Sequence, residues 1–176
     1  MCLEGWVLIV QLIVVLILLV TAIIAGISAR ASRRAAAATE KSAESTLAAL
    51  RMQCFAQLLD AYSSPKMLTD MLALVRWKDK HPSDWAEKYG KMVNDVDERE
   101  KVLEVHEARR HYAHHFYKIK LMYEEGYLDE NLLSKLATPD QINFLLDTVE
   151  PLEKNLNPNY NDSTYRFFEN RRNKSR

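Results

Sequence analysis

Residues 6–27 read WVLIVQLIVVLILLVTAIIAGI, and no side chain in that stretch is charged. Gln11 and Thr21 are its polar members, with Trp6 at one end and Ile27 at the other. At 1.5 Å rise per residue these ~22 residues span about 33 Å as a helix, enough for a hydrocarbon core of about 30 Å. Inside lipid, a lone segment satisfies its own backbone groups only as a helix. The stretch is therefore expected to cross a lipid bilayer once, with Trp6 as an interfacial aromatic anchor. Gln11 offers an amide to a partner helix in the membrane.

A cleaved secretory signal is the competing reading. No Lys or Arg precedes the apolar run, and the run exceeds the roughly 7–15 residues usual in such signals, although Ala29 and Ala31 supply a small-residue pattern. Arg30, Arg33 and Arg34 follow the span directly. That excess of cations predicts an N-terminus outside and a cytoplasmic remainder at the inner (plasma) membrane, with the three arginines against the anionic surface.

Across 176 residues the formal net charge is zero, with cations gathered just after the apolar run and again at Arg166, Arg171, Arg172, Lys174 and Arg176. A nucleic-acid partner is not expected, because such binding needs a broad positive face. Of the four glycines, Gly5 and Gly26 belong to the apolar helix, leaving Gly90 and Gly126 for the rest. Phosphate-cradling loops need several glycines close together, so a nucleotide partner is not expected either. Cys2 and Cys54 flank the apolar helix and cannot pair within one chain. The lack of a disulfide framework agrees with a reducing compartment.

Outward from the span, residues 1–29 are read as the transmembrane anchor, 30–57 as a helical juxtamembrane stalk, 58–168 as a helical domain and 169–176 as a basic tail. The stalk is rich in Ala, Arg and Glu and lacks Pro and Gly. Leu47, Leu50, Cys54, Leu58 and Ala61 then repeat at three and four residues, the spacing of one helix face. Ser64-Pro65 starts a second helix, with Met67, Leu68, Met71, Leu72 and Val75 as its apolar face. His81-Pro82 ends it, and a short helix carrying Trp85 and Tyr89 stops at Gly90. The longest helix of the domain is expected from about Asp95 to Glu125, burying Val102, Val105, Tyr112, Phe116, Ile119 and Tyr123. Asp129 opens the next helix, and Thr138-Pro139-Asp140-Gln141 is a capping box. Pro151 kinks or restarts the helix behind it, and Asp162 or Ser163 caps the last one. No alternation of period two runs through four or more residues. The fold class is all-α: a transmembrane helix continuing into a stalk, then a compact multi-helix bundle.

The stretches YSSPKMLTDMLALVRWK, ARRHYAHHFYKIKLMYEEGYLDE and TPDQINFLLDTVEPLEKNLNP resemble a family of small bacterial single-pass membrane proteins. These carry a helical domain for which no reaction, cofactor or catalytic residue is established. The resemblance covers roughly Leu58 to Phe168 and rests on helix-boundary motifs, such as Ser-Ser-Pro and Glu150-Pro151-Leu152. It implies the architecture and a bacterial inner-membrane setting.

The chemically suggestive cluster is on the long helix: His106, His111, His114 and His115, beside Glu104 and Glu107. His111 and His115 share a face, and Glu107 precedes His111 by one turn, which makes these three the candidate metal ligands. The Glu-x-x-His spacing of bundle di-iron sites is absent, and His114 is expected to point away from His111. Ser63 and Ser64 sit at a helix start, where capping accounts for them, and no Gly-x-Ser-x-Gly elbow occurs. No catalytic residue and no cofactor is predicted. Arg109 and Arg110, with the aromatics Trp77, Trp85 and Tyr117, are candidates for recognising a partner, salt bridges being the ordinary fate of the arginines. The leading reading is a non-enzymatic membrane-tethered interaction or scaffold module that binds a protein partner or itself. Its rivals are a membrane-bound metal-binding protein using the His106–His115 helix and a membrane-associated stress or phage-response effector, the latter without residue-level support.

Overall fold

A computed structural model describes residues 3–174, with side chains from residue 11 onward. Cys2, Arg176 and the side chain of Trp6 lie outside the described residues. Among the described residues the chain forms seven helices and no strand. It divides into two compact units, Met1–Ala49 and Leu50–Arg176.

Helix α1, Leu3–Ser63, supplies the described part of the first unit. Its stretch Gln11–Ser63 is long and apolar enough to cross a membrane, and none of its most apolar window is buried. Thr21 turns its hydroxyl back to the Ile17 carbonyl at 2.8 Å, so this polar side chain is satisfied within its own helix.

The second unit takes the end of α1 and adds α2 (Pro65–Lys80), α3 (Trp85–Asn94), α4 (Leu103–Glu124) and α5 (Glu130–Leu136). Helix α6 spans 139–156, and α7 is Ser163–Lys174. The unit begins at Leu50, inside the expected stalk, because the end of α1 already holds on to it. Arg51 Nε donates to the Gly126 carbonyl at 3.2 Å, Phe55 packs on the core, and Leu58 is buried in it.

Helix starts follow their local chemistry. Ser64 accepts from the Met67 N–H at 3.2 Å and Asp129 from the Leu132 N–H at 2.8 Å, while the Gln141 side chain accepts from the Thr138 N–H at 2.8 Å. Gly126 ends α4 in the left-handed region at φ 77°, where a side chain would be strained. Helix α4 starts later than the sequence suggests. The Asp95 carboxylate accepts from the Asp97 N–H at 2.9 Å, and a 3₁₀ turn, Arg99–Val102, intervenes.

Phe116 is the hub of the core: it meets Phe168 edge-on at 5.0 Å and stacks on Tyr112 at 5.2 Å between ring centroids. Around it Met67, Leu74, Ile119, Leu133, Leu145 and Leu152 are fully buried. Each such side chain contributes about 1.5–3 kcal/mol by leaving water. Val105, Tyr112, Phe116 and Ile119 lie on the buried face of α4 as their spacing indicates, with Tyr123 half-buried and Val102 buried in the 3₁₀ turn ahead of the helix.

Two departures set the shape of the domain. Proline at 151 has no N–H and crowds the carbonyl four residues back. Helix α6 adapts by widening to a π turn, Leu145–Val149, in which the Glu150 N–H reaches the Leu145 carbonyl five residues back. The Asp147 carbonyl accepts from Lys78 Nζ at 3.0 Å, so the bulge is stitched to α2. The second departure is at Gly90, which does not end α3 but lies inside it. A Cβ there would meet the Asn155 carbonyl oxygen at 2.7 Å, so hydrogen at this position is what allows α3 to lie against the end of α6. Gly90→Ala should lower the stability of the full-length chain by about 1–3 kcal/mol, read as a lower urea midpoint in detergent. An unchanged midpoint would mean that the two backbones are not in such close approach.

Candidate functional site

Helix α2 presents an unexpected face to α4. The apolar set read from the sequence splits: Met67 is buried with Ala73, Leu74 and Trp77, and the carboxylate Asp70 goes inward with them. Leu68, Leu72 and Val75 are left outside, 60%, 44% and 39% exposed. Asp70 is only 1% exposed, and a buried carboxylate needs partners. It receives His111 Nδ1 at 2.5 Å from α4 and Lys66 Nζ at 2.6 Å from its own helix. The hydrogen bond that Lys66 donates to Asp70 holds its ammonium above the ordinary pKa. A carboxylate can only accept, so Nδ1 of His111 carries the proton and Nε2 is left for other contacts.

Two residues earlier on α4, Arg109 is 4% exposed and paired with Glu153 of α6. Its Nε donates to the buried Tyr89 hydroxyl at 2.9 Å, and that hydroxyl meets His106 Nδ1 at 2.9 Å. Arginine cannot accept, so Tyr89 passes its own proton toward His106, whose Nδ1 must be bare. The shifts agree: burial first, then Arg109, lowers the His106 pKa, and burial raises that of Tyr89.

Two hollows flank the histidine helix. A cleft of about 700 Å³ opens between α4 and the α6–α7 end, with Glu107, Arg110, His111 and Tyr117 on one wall and Glu153, Asn161 and Thr164 on the other. A smaller cavity of about 270 Å³ lies between the end of α1 and α4. His111 and His114 border both, so His114 does not point away from His111 as expected. It stacks on Tyr117 at 6.0 Å. His115 is 4% exposed in the wall of the smaller cavity, and its Nε2 has no hydrogen-bond partner. Burial pushes its pKa down to about 4, helped by the neighbouring His111, Lys118 and His114, beside which a further positive charge is disfavoured.

The metal-ligand expectation is not met. Among the described residues no group of three or more His, Cys, Asp or Glu side chains is placed to hold a metal ion. Glu107 faces the larger cleft, His115 lines only the smaller one, and His111 is committed to Asp70 through Nδ1. Ser63 and Ser64 hydroxyls donate to the Leu59 and Ala61 carbonyls, at 2.7 and 2.8 Å. Of the expected recognition residues, Arg109 and Trp77 belong to the interior. The Trp77 indole donates to the Trp85 carbonyl at 2.9 Å, and Lys78 lies over the half-buried Trp85 ring at 5.0 Å. Arg110 and Tyr117 are exposed at the large cleft. The described part of the basic tail, residues 169–174, is the end of α7: Arg171 binds both Glu130 oxygens, at 2.6 and 3.0 Å, and Arg172 binds Asp147 at 2.8 Å. Nothing in the composition pointed to Asp70, except its place three residues after Met67 and four before Leu74 on one helix face.

Comparison with protein families, with characterised proteins and with solved structures finds no match to this chain.

Two predictions follow from the buried charges. Glu153→Gln leaves the Arg109 guanidinium buried without its counter-charge and should cost about 3–5 kcal/mol in urea unfolding of the full chain. The pair Arg109→Met with Glu153→Leu should be milder than Glu153→Gln alone; a harsher double variant would contradict the assignment. For His115 the folded pKa lies below the ordinary 6.5, so the unfolded chain takes up the proton first as pH falls. Its contribution is complete above about pH 6.5 and is lost between there and about 4, by about 3 kcal/mol in all. Stability should therefore fall more steeply toward pH 4.5 in the parent chain than in His115→Leu, and parallel profiles would disprove the burial of a neutral imidazole.

Proposed function

We propose that this chain is a single-pass membrane protein whose helical domain acts as a non-enzymatic interaction module, binding a helix of a protein partner or of a second copy. The observation that carries the reading is the outer face of α2. Leu68, Leu72 and Val75 stand exposed at i, i+4 and i+7 while Asp70 of the same helix is buried. Three apolar side chains one turn apart are the spacing with which helices seat in one another's grooves. A helix that turns a carboxylate in and leucines out is poorly served by an isolated domain and well served by a partner.

The apolar helix supports the membrane setting, and the run Arg30, Arg33 and Arg34 with no preceding cation supports an N-terminus outside and a cytoplasmic domain. The family resemblance supports the inner membrane of a bacterial cell. Tethering confines the domain to a surface, which raises the effective concentration of any neighbour on that surface. A weak ridge-to-groove contact is then sufficient.

A photo-crosslinking residue at position 72 of the full-length chain in its native membrane tests the proposal. A discrete protein adduct is expected, reduced at least tenfold by Leu68→Asp. Crosslinking to lipid alone, or an adduct indifferent to Leu68→Asp, defeats it. Membrane-impermeant maleimide on intact cells adds the orientation: Cys2 should label and Cys54 should not, and the reverse pattern inverts the topology.

A further inference from the structure

We propose that the cavity between the end of α1 and α4 is a binding site for a small organic carboxylate with an apolar tail. This stands apart from the α2 ridge and uses none of its residues.

The lining defines the ligand. Leu58 and Ala61 from α1 and Met122 from α4 are apolar members of the wall, and Gln57, His111, His114 and Lys118 are polar ones. No Asp or Glu is among the lining residues. One lysine, imidazole N–H donors and apolar surface, with no carboxylate among the lining residues, suit a molecule that brings both a negative charge and a hydrocarbon tail. At about 270 Å³ the space falls just below the roughly 300–1,000 Å³ of drug-sized sites, so the occupant is small.

His115 points independently to a missing partner. It is 4% exposed, it belongs to the cavity wall, and its Nε2 makes no hydrogen bond. An orphaned polar atom at that depth is destabilising until something meets it. No protein atom pairs with the nitrogen, and a small turn of the ring would bring it to a ligand oxygen in the cavity. A neutral imidazole with its proton on Nε2 donates one hydrogen bond to a carboxylate oxygen, and Lys118 supplies the opposing charge. His111 is held by Asp70 through Nδ1, which pre-orients its ring at the border of the cavity without cost on binding.

Cys54 lines the same cavity and provides the reporter. In full-length chain carrying Cys2→Ser, in bicelles, the rate of Cys54 alkylation is followed while hexanoate is added. Hexanol is the control with the tail alone and acetate the control with the charge alone. Hexanoate should slow alkylation saturably by at least tenfold, acetate and hexanol at equal concentration by less than twofold. Lys118→Met, a change at an exposed position with circular dichroism as the check on the fold, should abolish the preference of hexanoate over hexanol. Equal protection by hexanol and hexanoate would make the cavity a plain apolar void. No protection by any of them would make it a gap without a ligand, and either result overturns the proposal.

Discussion

A carboxylate buried between two helices governs this domain. Asp70 cannot be left unpaired in an interior, and the groups that satisfy it, His111 at 2.5 Å and Lys66 at 2.6 Å, come from α4 and from the preceding turn of α2. Meeting His111 requires one particular rotation of α2 about its axis. That rotation carries Met67, Leu74 and Trp77 into the core, where Met67 and Leu74 are fully buried, and carries Leu68, Leu72 and Val75 out. The apolar ridge on the surface and the orientation of the histidine are thus two consequences of one interaction.

Helix α4 is read from several sides at once. Its Val105, Tyr112, Phe116 and Ile119 face supplies the hydrophobic centre, yet Arg109 and His115 lie within the same buried surface. Arg109 is tolerated because Glu153 and the Tyr89 hydroxyl take its donors, which ties α3, α4 and α6 together through one guanidinium. His115 is tolerated because it stays neutral. Around Pro151 the same economy appears in the backbone: a carbonyl that the proline cannot serve is taken by Lys78 of α2.

Much of this was legible in local sequence. Ser64-Pro65, Asp129 and Thr138-Pro139-Asp140-Gln141 act on backbone groups within three residues, so their effect does not depend on the rest of the chain. The α4 stripe was legible because its aromatic and branched residues recur with helical period. Gly90 was misread as a terminator, since glycine ends helices for reasons of conformation and permits close packing for reasons of volume, and a sequence does not distinguish the two. The face of α2 was misread because Leu68 and Leu72 are as apolar as Met67 and Leu74; periodicity alone offered two neighbouring stripes. The histidines were grouped correctly on one helix, but their division between a cleft, a cavity and a buried carboxylate depends on α1, α2, α6 and α7.

The sequence by itself determined the all-helical class, the apolar segment long enough to cross a membrane, and most helix starts. These depend on side chains acting on their own backbone, or on the solvent that suits a continuous apolar run. Only the tertiary structure decided which stripe of α2 is inside, where Arg109, Arg171 and Arg172 find their carboxylates, and that Glu107, His111 and His115 do not converge. Each of those outcomes is set by a partner many residues away, and the position of such a partner is a property of packing rather than of spacing along the chain.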